Sequence, residues 1–206
     1  MTTEQKTRNA AETQRRILQA AMTLLAESGR DGFGINAIAR QAGCDKQLIY
    51  RYFQGLEGLA DAVGIELANR LEQDLSSMTN PSEFSSYAGL MEHLLLALLE
   101  VLRRDRIMQQ IIAWEMTGPC DLTRRMSHER GQKLGAWIVR VRGTLPVPTH
   151  VDAPAINAIL IASTQQLVLS SASTASFAGL PLHSEADWER VRAALSSMVK
   201  AIYAPA

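Results

Sequence analysis

From Asp45 to Phe53 the chain reads DKQLIYRYF, and two of its four tyrosines, Tyr50 and Tyr52, stand there beside Lys46, Gln47 and Arg51. On a helix, Lys46, Gln47, Tyr50 and Arg51 recur at three- and four-residue spacing and share one face, while Cys44, Ile49 and Phe53 turn to the other. The polar face has no apolar stripe to bury and offers a cation, an amide and a phenol over a short distance. Such groups suit the edge of a duplex groove. Gln can satisfy a base edge with two hydrogen bonds, Lys can bond guanine or phosphate, and a tyrosine hydroxyl can donate to a phosphate oxygen. The competing reading is that the two tyrosines cap a small helical core, and spacing alone leaves both open.

The elements that would hold this face are legible nearby. Ile17, Ala21, Leu24 and Leu25 form the stripe of a first helix that ends at GRDGFG. Ile35, Ile38, Ala39 and Ala42 mark a second helix, with Gly34 as its N-cap. Gly43 supplies a turn that needs a positive φ, and Asp45 suits the N-cap of a third helix running to Phe53. Gln54-Gly55 breaks that helix, and a long one runs from Leu56 to near Leu75. Helix, glycine turn, helix is the arrangement that presents its second helix to the major groove.

RILQAAMTLLAESGRDGF followed by INAIARQAGCDKQLIYRYFQGLEGL resembles the N-terminal domain of the TetR family of transcriptional regulators. The resemblance covers residues 14–60 and includes the Ala-Gly turn, the Ile-Tyr-x-x-Phe ending of the third helix and the Glu-x-Leu opening of the fourth. It implies a homodimeric repressor whose C-terminal helices form a ligand pocket and whose last two helices make the dimer interface. Carried over by position, it places Asn36, Lys46, Gln47 and Leu48 at the bases, Tyr50 at bases or backbone, and Tyr52 at a phosphate. Three positions depart from the family pattern. Gly34 stands where a Thr often caps the second helix and touches a phosphate, Leu56 where a Lys is common, and Cys44 where Val is usual. Affinity would then lean on Arg51, Lys46 and helix N-termini.

Beyond residue 75 apolar residues again recur at three and four, predicting an all-α chain of about nine helices with no repeats. The spans are Phe84–Arg104, Asp105–Met116, Asp121–Arg142, Ala155–Ser173 and Glu185–Tyr203, with loops at LPVPTHVDAP and SFAGLPLHS. The division expected is a helix-turn-helix domain at 10–56 and an effector and dimerisation domain at 57–206. In the last helix Trp188, Val191, Leu195, Met198 and Ile202 keep a stripe, and Ile156, Ile159, Ser163, Leu167 and Ser170 do so in the one before. The stripes suit a four-helix bundle between two copies, with Leu167, Trp188, Val191, Leu195, Met198 and Ile202 as interface, although some of each must face the chain's own core. For an effector pocket the Met- and Trp-bearing helices supply Met91, Trp114, Met116, Met126 and Trp137, with His93 and Gln110 as polar candidates. Plain core is the alternative for each. A break at Thr117-Gly118-Pro119, just beyond Trp114, would free backbone groups and open space between helices.

Composition narrows the function classes. Apolar residues make up 47% and charged residues 20% of 206, which suits a globular protein. Lys+Arg and Asp+Glu are both 21, but residues 1–60 hold eight basic against six acidic side chains, a weakly basic head on an acidic remainder. Cys44 and Cys120 build no disulfide framework, the polar N-terminal segment has no signal-peptide core, and the run Leu94–Leu102 is too short to span a bilayer. The expected location is cytoplasmic, with no membrane partner. His93, His128, His150 and His183 show no metal-site spacing, and there is no CxxC, P-loop or GxSxG. Asp121 and His128, seven apart, suit a solvated pair, and Cys44 a core thiol rather than a redox switch. No catalytic residue, metal or cofactor is expected. The functional expectation is a homodimeric repressor on a palindromic or near-palindromic DNA operator, released by a small apolar or aromatic effector. Gly34 and Leu56 motivate an alternative, a helical small-molecule-binding or adaptor protein with weak or lost DNA binding; a helical enzyme is the third option.

Overall fold

The structure is a computed structural model that describes residues 3–118 and 120–204. Among these residues the chain is all-α apart from one small hairpin. The helices are α1 (Thr3–Ser28), α2 (Ile35–Ala42), α3 (Lys46–Phe53), α4 (Leu56–Met78), α5 (Tyr87–Arg104), α6 (Arg106–Thr117), α7 (Asp121–Arg142), α8 (Ala153–Ser173) and α9 (Glu185–Ile202). Short 3-10 turns occupy Gly29–Gly32 and Pro81–Glu83, and strands β1 (Ser176–Phe177) and β2 (Leu180–Pro181) pair antiparallel.

The helices pack into two compact units, one of Met1–Arg70 with Arg106–Leu134, the other of Leu71–Asp105 with Gly135–Ala206. This differs from a division after residue 56, because α6 packs on α1 and on the Gly29–Gly32 turn rather than joining the later helices. In the first unit Ile17, Met22 and Leu25 of α1, Ile38 of α2 and Ile49 of α3 are fully buried, with Leu59, Val63 and Leu67 of α4, Ile111 of α6 and Met126 of α7. Helix α2 stops at Gly43, whose φ of 60° is left-handed and whose N–H bonds the carbonyls of Ala39 and Arg40. Asp45 then caps α3, its carboxylate accepting from the Gln47 N–H at 2.7 Å.

In the second unit Leu90, Leu99 and Leu102 of α5 are buried, and α5 packs against α8 and α9. Helix α5 begins three residues later than its apolar pattern does. Asn80 caps the turn at Pro81–Glu83, and the Ser86 hydroxyl then accepts from the Gly89 N–H to start the helix proper. Helix α9 opens with a capping box in which Ser184 and Asp187 satisfy each other's backbone N–H. The Tyr203 hydroxyl donates to Asn157 at 2.8 Å, and Asn157 donates to the Tyr87 hydroxyl at 2.8 Å. Burial pushes the Tyr203 phenol up to about 12. Arg192 of α9 donates to Glu100, Glu185 and Glu189, while Arg103 joins Glu100 and Glu185 and lies 4.5 Å over the Trp188 ring. The hairpin falls inside SFAGLPLHS, where strands of two residues are too short to show a period of two.

Three of the residues expected at a seam between copies are instead core of the single chain. Trp188, Val191 and Leu195 are 3–4% exposed, because their stripe on α9 faces α5. Met198 is exposed, and Leu167 and Ile202 are half-buried. A different apolar face is uncovered: Ala155, Ala158, Ile159 and Ala162 on α8, and Ala194, Met198 and Ala201 on α9. Ile159 is 65% exposed. Among the described residues α8 is also the helix long and apolar enough to cross a membrane by length and composition. Its Asn157 is tied into the Tyr87–Tyr203 network and its Thr164 hydroxyl is buried, which suits packing against protein rather than lipid.

Candidate nucleic-acid interface

The side chains singled out on α3 emerge on one surface. Lys46, Gln47, Tyr50 and Arg51 are exposed, as is Asn36 near the start of α2, while Leu48 and Tyr52 are half-buried. Ile49, fully buried, faces α1 and α2, with Phe53 and Cys44 half-buried beside it. Lys46 makes no ion pair and neither the Gln47 amide nor the Tyr50 hydroxyl makes an intramolecular hydrogen bond among the described residues, so these groups are free for a partner. The Arg51 guanidinium lies 5.8 Å over the Tyr52 ring, which braces both side chains at the end of α3.

What fixes α3 is less local. Helix α4 approaches so closely that a Cβ on Gly58 would collide with the Phe53 carbonyl oxygen, a contact that only glycine allows. Gln54 takes a left-handed φ of 62° to make the reversal. Arg125 of α7 donates to Asp61 at 2.9 Å and lies 3.4 Å from Glu57, clamping the start of α4 within the same unit. None of this is visible in a local pattern, since Arg125 and Asp61 are 64 positions apart. Arg16 of α1 is a further cation that sequence spacing does not reveal. It is exposed, and its charge reaches the Cys44 sulfur at the α2–α3 turn. Burial raises the Cys44 thiol against that charge, which fits a core thiol.

The residues considered for an effector pocket divide between the units. In the first, Met126 is fully buried, Gln110 is half-buried beside Gly29, and Trp114 is 5% exposed with its ring 5.9 Å from that of Phe33. Met116 is 60% exposed in the last turn of α6, unlike the buried Trp114 and Met126. In the second unit Met91 is buried, the Trp137 N–H donates to Ser76 at 2.9 Å, and His93 shares a 3.1 Å hydrogen bond with Thr79 while its ring lies against Phe84. These polar groups are therefore already partnered. Helix α6 ends at Thr117, as the expected break requires; Pro119 lies outside the described residues. Asp121 pairs with Arg124 rather than His128. The groove lined by Glu57, Asp61, Asp121, Arg124, Arg125 and His128 is open and charged, unlike an apolar effector site. Among the described residues no group of three His, Cys, Asp or Glu is placed to hold a metal.

Residues 17–63 match the family model of bacterial regulatory proteins of the tetR type. A candidate TetR-family transcriptional regulator from Mesorhizobium loti superposes with a TM-score of 0.62 at 25% identity, covering 94% of this chain and 97% of that one. Residues 17–63 are thus a TetR-type regulatory domain, and the chain as a whole has the fold of TetR-family regulators. An uncharacterised HTH-type transcriptional regulator of Mycobacterium tuberculosis H37Rv is 32% identical over 102 residues, or 50% of this chain and 48% of the relative. The match thus spans about half the length of that relative. The Bacillus subtilis transcriptional regulator FadR, in complex with stearoyl-CoA, has a similar fold, with a TM-score of 0.63 at 14% identity, covering 90% of this chain and 96% of that one.

Proposed function

We propose that this TetR-family protein is a homodimeric repressor that binds a palindromic or near-palindromic DNA operator and is released by a small-molecule effector. The observation that carries the reading is the α3 surface, where Lys46, Gln47, Tyr50 and Arg51 stand exposed on a helix whose opposite face is anchored by the buried Ile49. Groups of this kind without intramolecular partners suit phosphate and base-edge contacts in a major groove. Asn36 and Leu48 complete the base-facing set, and Tyr52, braced by Arg51, suits a phosphate. Protein working on bacterial DNA works in the cytoplasm.

The dimer reading is supported by the uncovered apolar face of α8 and α9, where alanines at three- and four-residue spacing surround Ile159 and Met198 and allow close helix approach. A two-fold partner also matches two reading helices to two half-sites. The effector reading is supported by the FadR likeness, since that protein holds an acyl-CoA on the same fold. The second reading, a TetR-like binding protein that has lost DNA, is favoured by Gly34 and Leu56, which remove two side-chain contacts to phosphate. A gel shift on DNA from upstream of the gene, run across a salt series, separates them. Retarded, salt-sensitive complexes support the regulator; no shift on that DNA at low salt supports the alternative.

A further inference from the structure

The first unit contains a donor pair that the DNA-binding surface does not use. The Trp114 indole N–H is buried and has no hydrogen-bond partner, an expensive state for a donor unless something else accepts from it. It faces Gly118, where a side-chain atom at the Cβ position would lie 3.7 Å from the indole nitrogen and 3.0 Å from a guanidinium nitrogen of Arg30. Arg30 is exposed, on the Gly29–Gly32 turn, and makes no ion pair among the described residues. Glycine at 118 leaves that position unfilled. Two donors, one cationic, thus converge on a spot where the described residues supply no acceptor to the Trp114 N–H.

The geometry points to a carboxylate-binding site here, in which one small-molecule carboxylate takes the Arg30 guanidinium through a charge-assisted hydrogen bond and the Trp114 N–H through its second oxygen. Arg30, exposed on its turn, is the flexible part, and its guanidinium can turn outward with the ligand. Phe33, its ring tilted at 58° against that of Trp114, gives the site an aromatic wall for the ligand's body. Gln110, against Gly29 on the same turn, is a further polar group at its margin. Arg30 also acts on Cys120. Burial pushes that thiol up, but the N–H and hydroxyl of Thr123, the N–H of Leu122 and the Arg30 charge outweigh it and hold the thiol below its ordinary range. Neutralising Arg30 with a carboxylate should therefore make Cys120 less reactive.

This inference names the chemistry of the effector proposed above, and rests on that reading only for its consequence at DNA. The test uses the full chain carrying Cys44→Ser, so that Cys120 is the one thiol, with benzoate and octanoate as probes and their neutral amides as controls. Carboxylates should quench tryptophan emission and slow iodoacetamide alkylation of Cys120, and the amides should do neither. Arg30→Gln, on an exposed residue, should weaken both effects on the order of tenfold. Gly118→Ala should abolish them by filling the spot, and Trp114→Phe should remove the quenching that Trp137 and Trp188 do not report. Amides acting as well as acids, or Arg30→Gln binding like the parent, would overturn the site, as would silence of both carboxylates in both readouts. A gel shift is read separately: carboxylate binding that leaves operator affinity unchanged keeps the site and removes the inducer role.

Discussion

A lysine that neutralises one phosphate releases condensed counterion, so Lys46→Ala should weaken operator binding and reduce the slope of log affinity against log salt by about 0.9. An unchanged slope and affinity would take Lys46 out of the interface. Gln47 should behave differently, because an amide bonded to a base edge carries sequence information. Gln47→Ala should cost about 1–3 kcal/mol at one base pair and relax preference there; equal losses on operator and random DNA would count against base contact. Gly58 matters to both without touching DNA. Gly58→Ala forces the start of α4 off the Phe53 carbonyl, and since the obstacle is backbone, a cost of about 1–3 kcal/mol or more is expected in thermal unfolding. A Gly58→Ala variant as stable as the parent would mean the close approach is not needed. The α3 side chains were legible in sequence because their face depends only on spacing three and four apart. Gly58 and the Trp114 N–H were not, because each depends on an atom from another element.

At the scale of helices, periodicity identifies an apolar stripe but not what covers it. Trp188, Val191 and Leu195 keep the spacing of a seam, and α5 of the same chain takes it up. The uncovered face of α8 and α9 is built largely from alanine, whose weak hydrophobic signal hides it from a stripe search. Leu195→Glu is therefore expected to unfold the chain, since a lone carboxylate would be buried without a partner; circular dichroism showing a folded monomer would instead restore Leu195 to the seam. Helix α9 also carries the ion network. Hydrogen bonds from Arg103 and Arg192 hold the Glu185 carboxyl down at about 2 from an ordinary 4.5. A depressed folded-state value means the stabilisation is complete above the unfolded value and is lost as pH falls through the folded one. The melting-temperature gap between the parent and Glu185→Gln should thus be constant above pH 4.5 and shrink toward pH 2. Because Glu185 is exposed the gap will be modest, and a gap that does not change with pH would exclude the carboxylate as its source. The Asp45 cap was readable from local sequence, whereas the partners of Arg192, 92 positions from Glu100, were not.

For the molecule as a whole, the proposed dimer should govern operator affinity, because one reading helix per chain would see only a half-site. Joining two heads makes the second binding event intramolecular, which raises affinity by roughly 10²–10⁴-fold without a new contact. Ile159→Glu places a charge at the centre of the uncovered α8 face while leaving the buried core untouched, since Ile159 is 65% exposed. The expected product is a helical monomer by sedimentation, with parental stability in the single chain. Its affinity for a full palindrome should fall by roughly that 10²–10⁴ factor, and its salt slope should drop to about half, because one head contacts half the phosphates. On a single half-site, parent and variant should bind alike. A variant that stays dimeric would move the interface off α8. A monomer that still binds the palindrome as tightly as the parent would refute the two-headed reading, and would return the α3 surface to a protein that meets DNA one head at a time.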